Sequence, residues 1–485
     1  MTQTGKITSE RIASDLRGLG LAAGDIVLLH SSLSSLGQVE GGAEAVVRAF
    51  GQVLGESGTL VVPIFGALGA IADAVRDDRR SVKSVHPKAC VAALGAKAPE
   101  ICRDHWKAEL AHGPDTPYTR IAELGGYVCL LGVDQDRNTT LHTAEELLRM
   151  PYLKPIQAEG FSTPEGIVTK TWPYFPGPHR DFIGLDRLLR GSGKMRVGQV
   201  GQAVARLIKS RDLIELAMEA GRANLAFVLC DNPQCADCVA QRADLRRHRL
   251  AGEAFTLAAA ASLAGRYVPE MIDNLRASGI DAVELDAVQG RPVHAMPARH
   301  IAEAAGALAG AGVRVTALRS AVISDANLAL MDAAAAAGVA RLVLPLSGEA
   351  ESLVRAAAAK GLKLSFTNTE LSSERASAIL LGLAHRNLHA GFTFNGAAFA
   401  RAGEKPFLSS YKKKLRRFVD QLDLADATAD ATPRPLAGGH AEVKEMVSIL
   451  RCARFAGPMV LAAENRFVGT LADAADRFEM LLDAM

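Results

Sequence analysis

No unbroken apolar stretch in this sequence reaches the roughly 20 residues that a membrane-spanning helix needs. The first residues, Met1-Thr2-Gln3-Thr4-Gly5-Lys6, also lack the basic segment followed by an apolar one that a secretory leader requires. Both absences point to a cytoplasmic protein without membrane partners. Charge of one sign is missing too: 55 Lys and Arg against 53 Asp and Glu leave a net +2, which gives no global argument for a nucleic-acid partner. Cysteine is sparse, with seven scattered over the chain except for a group between Cys230 and Cys238, so a disulfide framework is not expected. What remains is a 485-residue chain, 49% hydrophobic and 22% charged, which is ample for two or three globular domains.

The chemistry is expected in Asn138-Thr139-Thr140-Leu141-His142-Thr143-Ala144-Glu145-Glu146. This stretch follows Gly126-Tyr127-Val128-Cys129-Leu130-Leu131-Gly132-Val133, a short apolar run between glycines that suits a buried strand. Leu141, Ala144, Leu147 and Leu148 then fall at helical spacing, with Thr139 or Thr140 able to cap. His142 is thereby placed in the first turn of a helix just past a strand end, where an imidazole of ordinary pKa near 6.5 could serve as general base. A buried histidine bonded to a backbone carbonyl is the competing reading.

Upstream, a helix is expected from Ser9 to Leu19, a strand over Asp25 to His30, and a helix from Ala43 to Leu54. Between the last two lies His30-Ser31-Ser32-Leu33-Ser34-Ser35-Leu36-Gly37 with Val39-Glu40-Gly41-Gly42. A loop of hydroxyls and glycines running into a helix start can hold an anion, or can be an ordinary connection. A second strand is expected over Gly58 to Pro63, an irregular section from Ile64 to Val85, and then a proline turn with a small-residue helix in Ser84 to Gly95. His112-Gly113-Pro114-Asp115-Thr116-Pro117-Tyr118 reads as a turn.

In register, these motifs resemble the aminoglycoside 3-N-acetyltransferase family, also called the antibiotic N-acetyltransferases, over about residues 8 to 225. The resemblance implies an N-terminal α/β acetyltransferase domain that moves an acetyl group from acetyl-CoA to a small-molecule amine. It implies that Ser31, Ser32, Leu33 and Ser34 contact the coenzyme, with Ser84 nearby and Cys90 where the family often has serine. It further implies that His142 removes a proton from the amine and that loop N–H groups stabilise the developing oxyanion. Two other departures stand out. Thr116 replaces a usual serine, and the acidic residue that usually follows a tryptophan some thirty residues past the histidine is missing after Trp172. Asp181 and His179 are the nearest substitutes, with Asp134 and Asp136 as groups that could approach from the strand end. Without an orienting acid an imidazole loses control of its tautomer. The apolar, proline-rich segment from Trp172 to Phe182 suits a polycation poorly, so an amino sugar or a specialised-metabolite amine stands beside an aminoglycoside as acceptor.

Cys230-Asp231-Asn232-Pro233-Gln234-Cys235-Ala236-Asp237-Cys238 opens an expected linker over 230–249. Cys230, Cys235 and Cys238, with His248 as a fourth ligand, offer a structural zinc site; a free-thiol loop is the alternative.

From about Leu250, strands and alanine-rich helices alternate. The expected strands are Ala282 to Leu285, Val313 to Leu318, Arg341 to Pro345, Leu362 to Phe366, Ala390 to Phe394 and Met459 to Leu461. The fold class is therefore α/β throughout, with a (β/α) TIM-like barrel over 250–485 following the transferase-like domain over 1–229. Gly279 to Leu285, Gly391 to Asn395 and Pro435 to His440 resemble the sugar phosphate isomerase/epimerase family of xylose isomerase-like barrels. That resemblance implies a divalent metal on carboxylates and histidines. Here Thr367-Asn368 and Asn395 stand at such positions, and neutral side chains balance a divalent ion poorly. The barrel is thus expected to lack its catalytic metal, the alternative being a rearranged site of Glu284, Asp286, His440, Glu442 and Glu464.

The leading expectation is a cytoplasmic acetyl-CoA-dependent N-acetyltransferase with a degenerate barrel, which could assemble as a homo-oligomer. A non-catalytic CoA- or carrier-binding scaffold, or a barrel isomerase with an accessory transferase-like domain, are the alternatives.

Overall fold

The structure, a computed structural model, describes residues 6–66, 68–175, 181–324, 326–368 and 370–485. His179 lies outside the described residues. The chain divides into two compact units, Met1–Gln241 and Arg242–Met485. The segment 230–249, expected as a linker, contains most of a helix, Ala236–Leu250.

Unit 1 is built on a mixed sheet. Its strands are β1 (Ile26–Ser31), β2 (Thr59–Pro63), β3 (Val82–Lys83), β4 (Val91–Gly95), β5 (Tyr127–Leu131), β8 (Met195–Val200) and β9 (Ala203–Lys209), while β6 (Lys154–Thr163) and β7 (Gly166–Tyr174) form a separate antiparallel hairpin. The sheet order is β3-β4-β2-β1-β5-β9-β8. The three central strands β2, β1 and β5 run parallel. The chain goes from β1 to one neighbour through the helix Gly42–Leu54 and only later returns on the other side as β5, so the strand order reverses at β1 and β5. The carboxyl ends of two such strands are where open α/β sheets hold ligands.

Local sequence explains the frame. Thr8 caps the helix Ser9–Leu19 by accepting from the Arg11 N–H at 3.3 Å, and Gly20 closes it with φ 105. The β1 and β5 runs are almost wholly buried, as central strands covered on both faces must be. Two expectations fail here. Val91 to Gly95 is a strand, since its residues pair antiparallel with β2 along their whole length, and that pairing overrides the helical preference of alanine. The section from Ile64 to Val85 is not wholly irregular, for it contains the helix Ala70–Asp77 and β3.

Unit 2 is a closed barrel of eight parallel strands: β10 (Thr256–Ala260), β11 (Ala282–Leu285), β12 (Arg314–Arg319), β13 (Arg341–Pro345), β14 (Lys363–Thr367), β15 (Gly391–Asn395), β16 (Val419–Leu424) and β17 (Pro458–Leu461). Helices connect most of them, and the apolar layer between strands and helices is rich in Ala, Leu and Val. The expected strands map to β11 to β15 and β17. β10 and β16 were not anticipated, because one is mostly alanine and the other, Val-Asp-Gln-Leu-Asp-Leu, turns polar residues into the barrel.

Candidate active site

His142 sits in the first turn of the helix Leu141–Leu147, just beyond the carboxyl end of β5. The expected threonine cap is not made: Thr140 is in the helical region, makes no capping bond, and its buried Oγ1 has no partner. The turn is instead held by consecutive tight backbone bonds, Leu141 N–H to Asn138 O and His142 N–H to Thr139 O, each 3.1 Å.

The imidazole has an acid partner. His142 Nδ1 lies 2.5 Å from Glu145 Oε2, and the Tyr152 hydroxyl donates to Glu145 Oε1 at 2.8 Å. Glu145 is fully buried, whereas 12% of the His142 side chain remains accessible. A carboxylate at Nδ1 keeps the proton there and turns Nε2 into the basic nitrogen. The sequence held the signal, since residues three apart on a helix face one another, and Glu145 is three past His142. An acid thus stands beside the imidazole one helical turn away, although none follows Trp172 at the expected place.

Three of the groups expected as substitutes for that role have partners of their own. Asp181 is half-buried and accepts from the Ile183 N–H at 3.3 Å. Asp134 pairs with Arg206 at 2.8 Å, and Asp136 with Arg137 at 3.4 Å.

A second histidine and glutamate pair lies beside the first. His112 and Glu146 are both fully buried, with Nδ1 2.8 Å from Oε1 and the His112 backbone N–H donating to Oε2 at 2.8 Å. The Thr143 hydroxyl donates to His112 O, so the helix that carries His142 is pinned to the turn at His112 by two neighbouring residues. The ring centroids of His112 and His142 are 5.3 Å apart. Phe175 stacks on the other imidazole, with centroids 3.6 Å apart at 8°, and Phe182 meets its edge at 5.4 Å. His30, at the end of β1, is buried with Nε2 unpartnered. Burial, and then the neighbouring His142, push its pKa down to about 3.

The serine loop leaves β1 next to this cluster. Ser32 N–H donates to Leu131 O at 3.0 Å, and the Ser35 hydroxyl reaches both Ser32 Oγ and Gly132 O at 3.0 Å. Gly132 has φ 70, and a Cβ there would meet Ser35 Cβ at 2.5 Å, so only glycine lets the two loops close on each other. Ser31, Ser32 and Leu33 are half-buried and Ser34 is exposed, with Ser32 and Ser34 hydroxyls 3.1 Å apart. The expected coenzyme loop and the expected base thus leave adjacent parallel strands at the same end.

Ser84 does not join them. It is buried, accepts from the Val91 N–H at 2.9 Å and bonds His105 Nδ1 at 3.0 Å, so its hydroxyl is spent inside the fold. His105 Nε2 in turn bonds Ala111 O at 2.9 Å. Burial holds His105 near pKa 3 and His86 near 2. Cys90 is half-buried, and burial raises its thiol pKa. Thr116, also fully buried, donates to Gly113 O at 2.6 Å.

In unit 2 the barrel holds a different polar cluster. Arg319, at the carboxyl end of β12, pairs bidentately with Asp423 at 2.9 and 2.7 Å and through Nε with Glu284 at 2.6 Å. Both carboxylates are almost wholly buried, and Gln421 also bonds each of them. Burial alone would lower the guanidinium pKa, but Asp423 and Glu284 outweigh it and raise it. A cavity of about 1080 Å³, with Ser262, Asp286, Arg319 and Glu464 among its walls, opens beside the cluster. The rearranged metal set does not assemble: Asp286 caps Ser262, His440 accepts from the Ala429 N–H at 3.1 Å, and Glu442 accepts from the Phe407 N–H at 2.6 Å. Among the described residues, Cys230, Cys235 and Cys238 alone converge as metal ligands. His248 is not among them, being ten residues past Cys238 on one helix, a rise of about 15 Å.

The family model of aminoglycoside 3-N-acetyltransferases matches residues 28–68 and 65–220. Aminoglycoside N(3)-acetyltransferase VII of Streptomyces paromomycinus is 31% identical over 272 residues, covering 44% of this chain and 91% of the relative. Aminoglycoside N(3)-acetyltransferase IV of a Salmonella species is 33% identical over 236 residues, covering 45% and 88%. The apoenzyme structure of aminoglycoside acetyltransferase AAC(3)-IVa covers 50% of this chain and 99% of its own, with 29% identity and a TM-score of 0.46. All of these matches fall within about half the length of the chain.

Proposed function

Since the chain belongs, through its first half, to the aminoglycoside 3-N-acetyltransferase family, we propose that it transfers the acetyl group of acetyl-CoA to a primary amine with His142 as general base. The observation that carries this reading is the Tyr152, Glu145, His142 chain at the strand-order reversal. Glu145 holds the Nδ1 proton, so His142 Nε2 takes the proton from the amine as its nitrogen attacks the thioester carbonyl. The tetrahedral adduct then collapses, the C–S bond breaks, and CoA leaves as a thiolate that picks up a proton. Backbone N–H groups of the Ser31 to Ser34 loop are the proposed oxyanion donors, and that loop is the proposed coenzyme cradle.

Acceptors in this proposal are amino sugars, aminoglycosides among them, or a specialised-metabolite amine, modified in the cytoplasm. The aromatic side chains Phe175 and Phe182 around His142 favour the apolar face of a sugar ring over a dense polycation. With an aminoglycoside as acceptor the protein would confer antibiotic resistance. Among the described residues no helix is long and apolar enough to cross a membrane. For unit 2 the proposal is a barrel of isomerase-like ancestry working without a catalytic metal, because the Arg319 guanidinium already supplies the cation between Glu284 and Asp423.

Thiol release from acetyl-CoA, measured with a panel of amino sugars and aminoglycosides, tests the function. Release that requires an amine and falls by about 10² to 10⁴ in His142→Ala supports it. Amine-dependent release unchanged in that variant would remove His142 from the mechanism.

A further inference from the structure

Three sulfur atoms meet at the end of unit 1. The ligand atoms of Cys230, Cys235 and Cys238 all lie within 4.8 Å of one another. Cys238 is fully buried, Cys230 nearly so and Cys235 half-buried, and none of the three is in a disulfide. The local backbone is built to bring them together. Asn232 accepts the Gln234 N–H on its Oδ1 at 3.0 Å and the Cys235 N–H on its carbonyl at 3.1 Å, forming a tight turn that leads into the helix Ala236–Leu250. Cys235 precedes the first helical residue and Cys238 falls in the first turn, so their side chains share one helical face.

One of the sulfurs is also approached by a backbone donor. The Cys230 N–H points to Cys238 Sγ at 3.4 Å. Sulfur of a neutral thiol is a weak acceptor, whereas a metal-bound thiolate is a good one, and N–H to S contacts of this kind orient such ligands. Three neighbouring thiolates without a cation would repel one another, and a disulfide would use only two of the three. Three soft sulfur ligands with a Cys-x-x-Cys spacing supply three of the four positions of a tetrahedral Zn²⁺ site, with the fourth filled by water or a further donor.

We propose that Cys230, Cys235 and Cys238 bind one Zn²⁺ as a structural site that ties the loop after Leu229 to the start of the helix Ala236–Leu250. The site is independent of the acetyl-transfer reading and stands even if that reading fails. Binding displaces the thiol protons to solvent and forms three Zn–S bonds, with no change of oxidation state.

The test uses the full chain purified without chelator. The expected result is one zinc per chain by elemental analysis, and after exchange with Co²⁺ an intense thiolate-to-metal charge-transfer absorption typical of several sulfur ligands. Cys238→Ser and Cys235→Ser should each lower the stoichiometry and the absorption at least severalfold, while Cys452→Ser, at an exposed thiol in unit 2, should leave both unchanged. Wild-type protein that carries no zinc, takes up no Co²⁺ after reduction, and shows all three thiols reacting freely overturns the proposal. So does recovery of a stable disulfide within the group under reducing purification. Since the stoichiometry and spectrum are read on wild type, a variant that misfolds does not decide the outcome.

Discussion

Unit 1 and unit 2 both bury charge-bearing side chains at the carboxyl ends of parallel strands, and they do so with different partners. In unit 1 the carboxylates Glu145 and Glu146 are matched to imidazoles, His142 and His112. In unit 2 the carboxylates Glu284 and Asp423 are matched to a guanidinium, Arg319. An imidazole can lose or gain a proton near neutral pH, and a guanidinium cannot. The first arrangement can move protons during a reaction; the second is a fixed ion lock. The buried histidines follow the same division, since His30, His86, His105 and His112 all lie in unit 1.

The largest expected effect breaks the proton-moving side of this contrast. Glu145→Gln should lower kcat/KM for amine-dependent thiol release by about 10² to 10⁴, because the amide allows the wrong imidazole tautomer while keeping the shape. Steady-state kinetics on the folded variant checks it. The ion lock is broken by Arg319→Met, which leaves two buried carboxylates unpaired and should destabilise the chain by roughly 3 to 5 kcal/mol. Denaturant unfolding measures that loss, and the specific activity of the remaining folded protein should stay near wild type.

Acid should separate the two kinds of site next. His30, His86 and His105 have folded-state pKa values pushed down to about 3, 2 and 3, against an ordinary value of 6.5. Below that ordinary value the unfolded chain binds protons that the folded chain refuses, so the contribution present above pH 6.5 is lost as pH falls toward the folded values. The expected loss is on the order of a few kcal/mol per histidine. Thermal melts between neutral pH and about pH 4 check it, and His105→Asn should flatten the dependence. The smallest effect expected is Tyr152→Phe. It removes one hydrogen bond to Glu145 and should lower kcat/KM about tenfold, equivalent to roughly 1.4 kcal/mol.

How much of this could be read beforehand depends on whether the cause was local. The strands Ala282–Leu285 and Arg341–Pro345 are legible to the residue, since each is a short, mostly apolar run containing Val and Leu, too short for a helix. Val91–Gly95 reads as helix from its small residues alone, because its strand character comes from pairing with β2, some thirty residues away in sequence. His142 and the serine loop were legible as motifs. The contact of Glu145 with His142 is not legible although the residue stands in the same motif, because the family resemblance points to an acid about thirty residues downstream rather than one helical turn away. The position of Ser84 inside the fold depends on His105 and Val91, and no local pattern announces such a bond. Arg319 likewise becomes a lock only when barrel closure brings β11, β12 and β16 together.

The central claim is that His142 and Glu145 act as one proton-transfer unit. A double-mutant cycle on kcat/KM with His142→Ala, Glu145→Gln and the pair tests it most directly. The account predicts that the double variant is no slower than His142→Ala alone, since Glu145 has nothing to orient once the imidazole is gone. Losses that simply multiply, or a Glu145→Gln variant as fast as wild type, would contradict it.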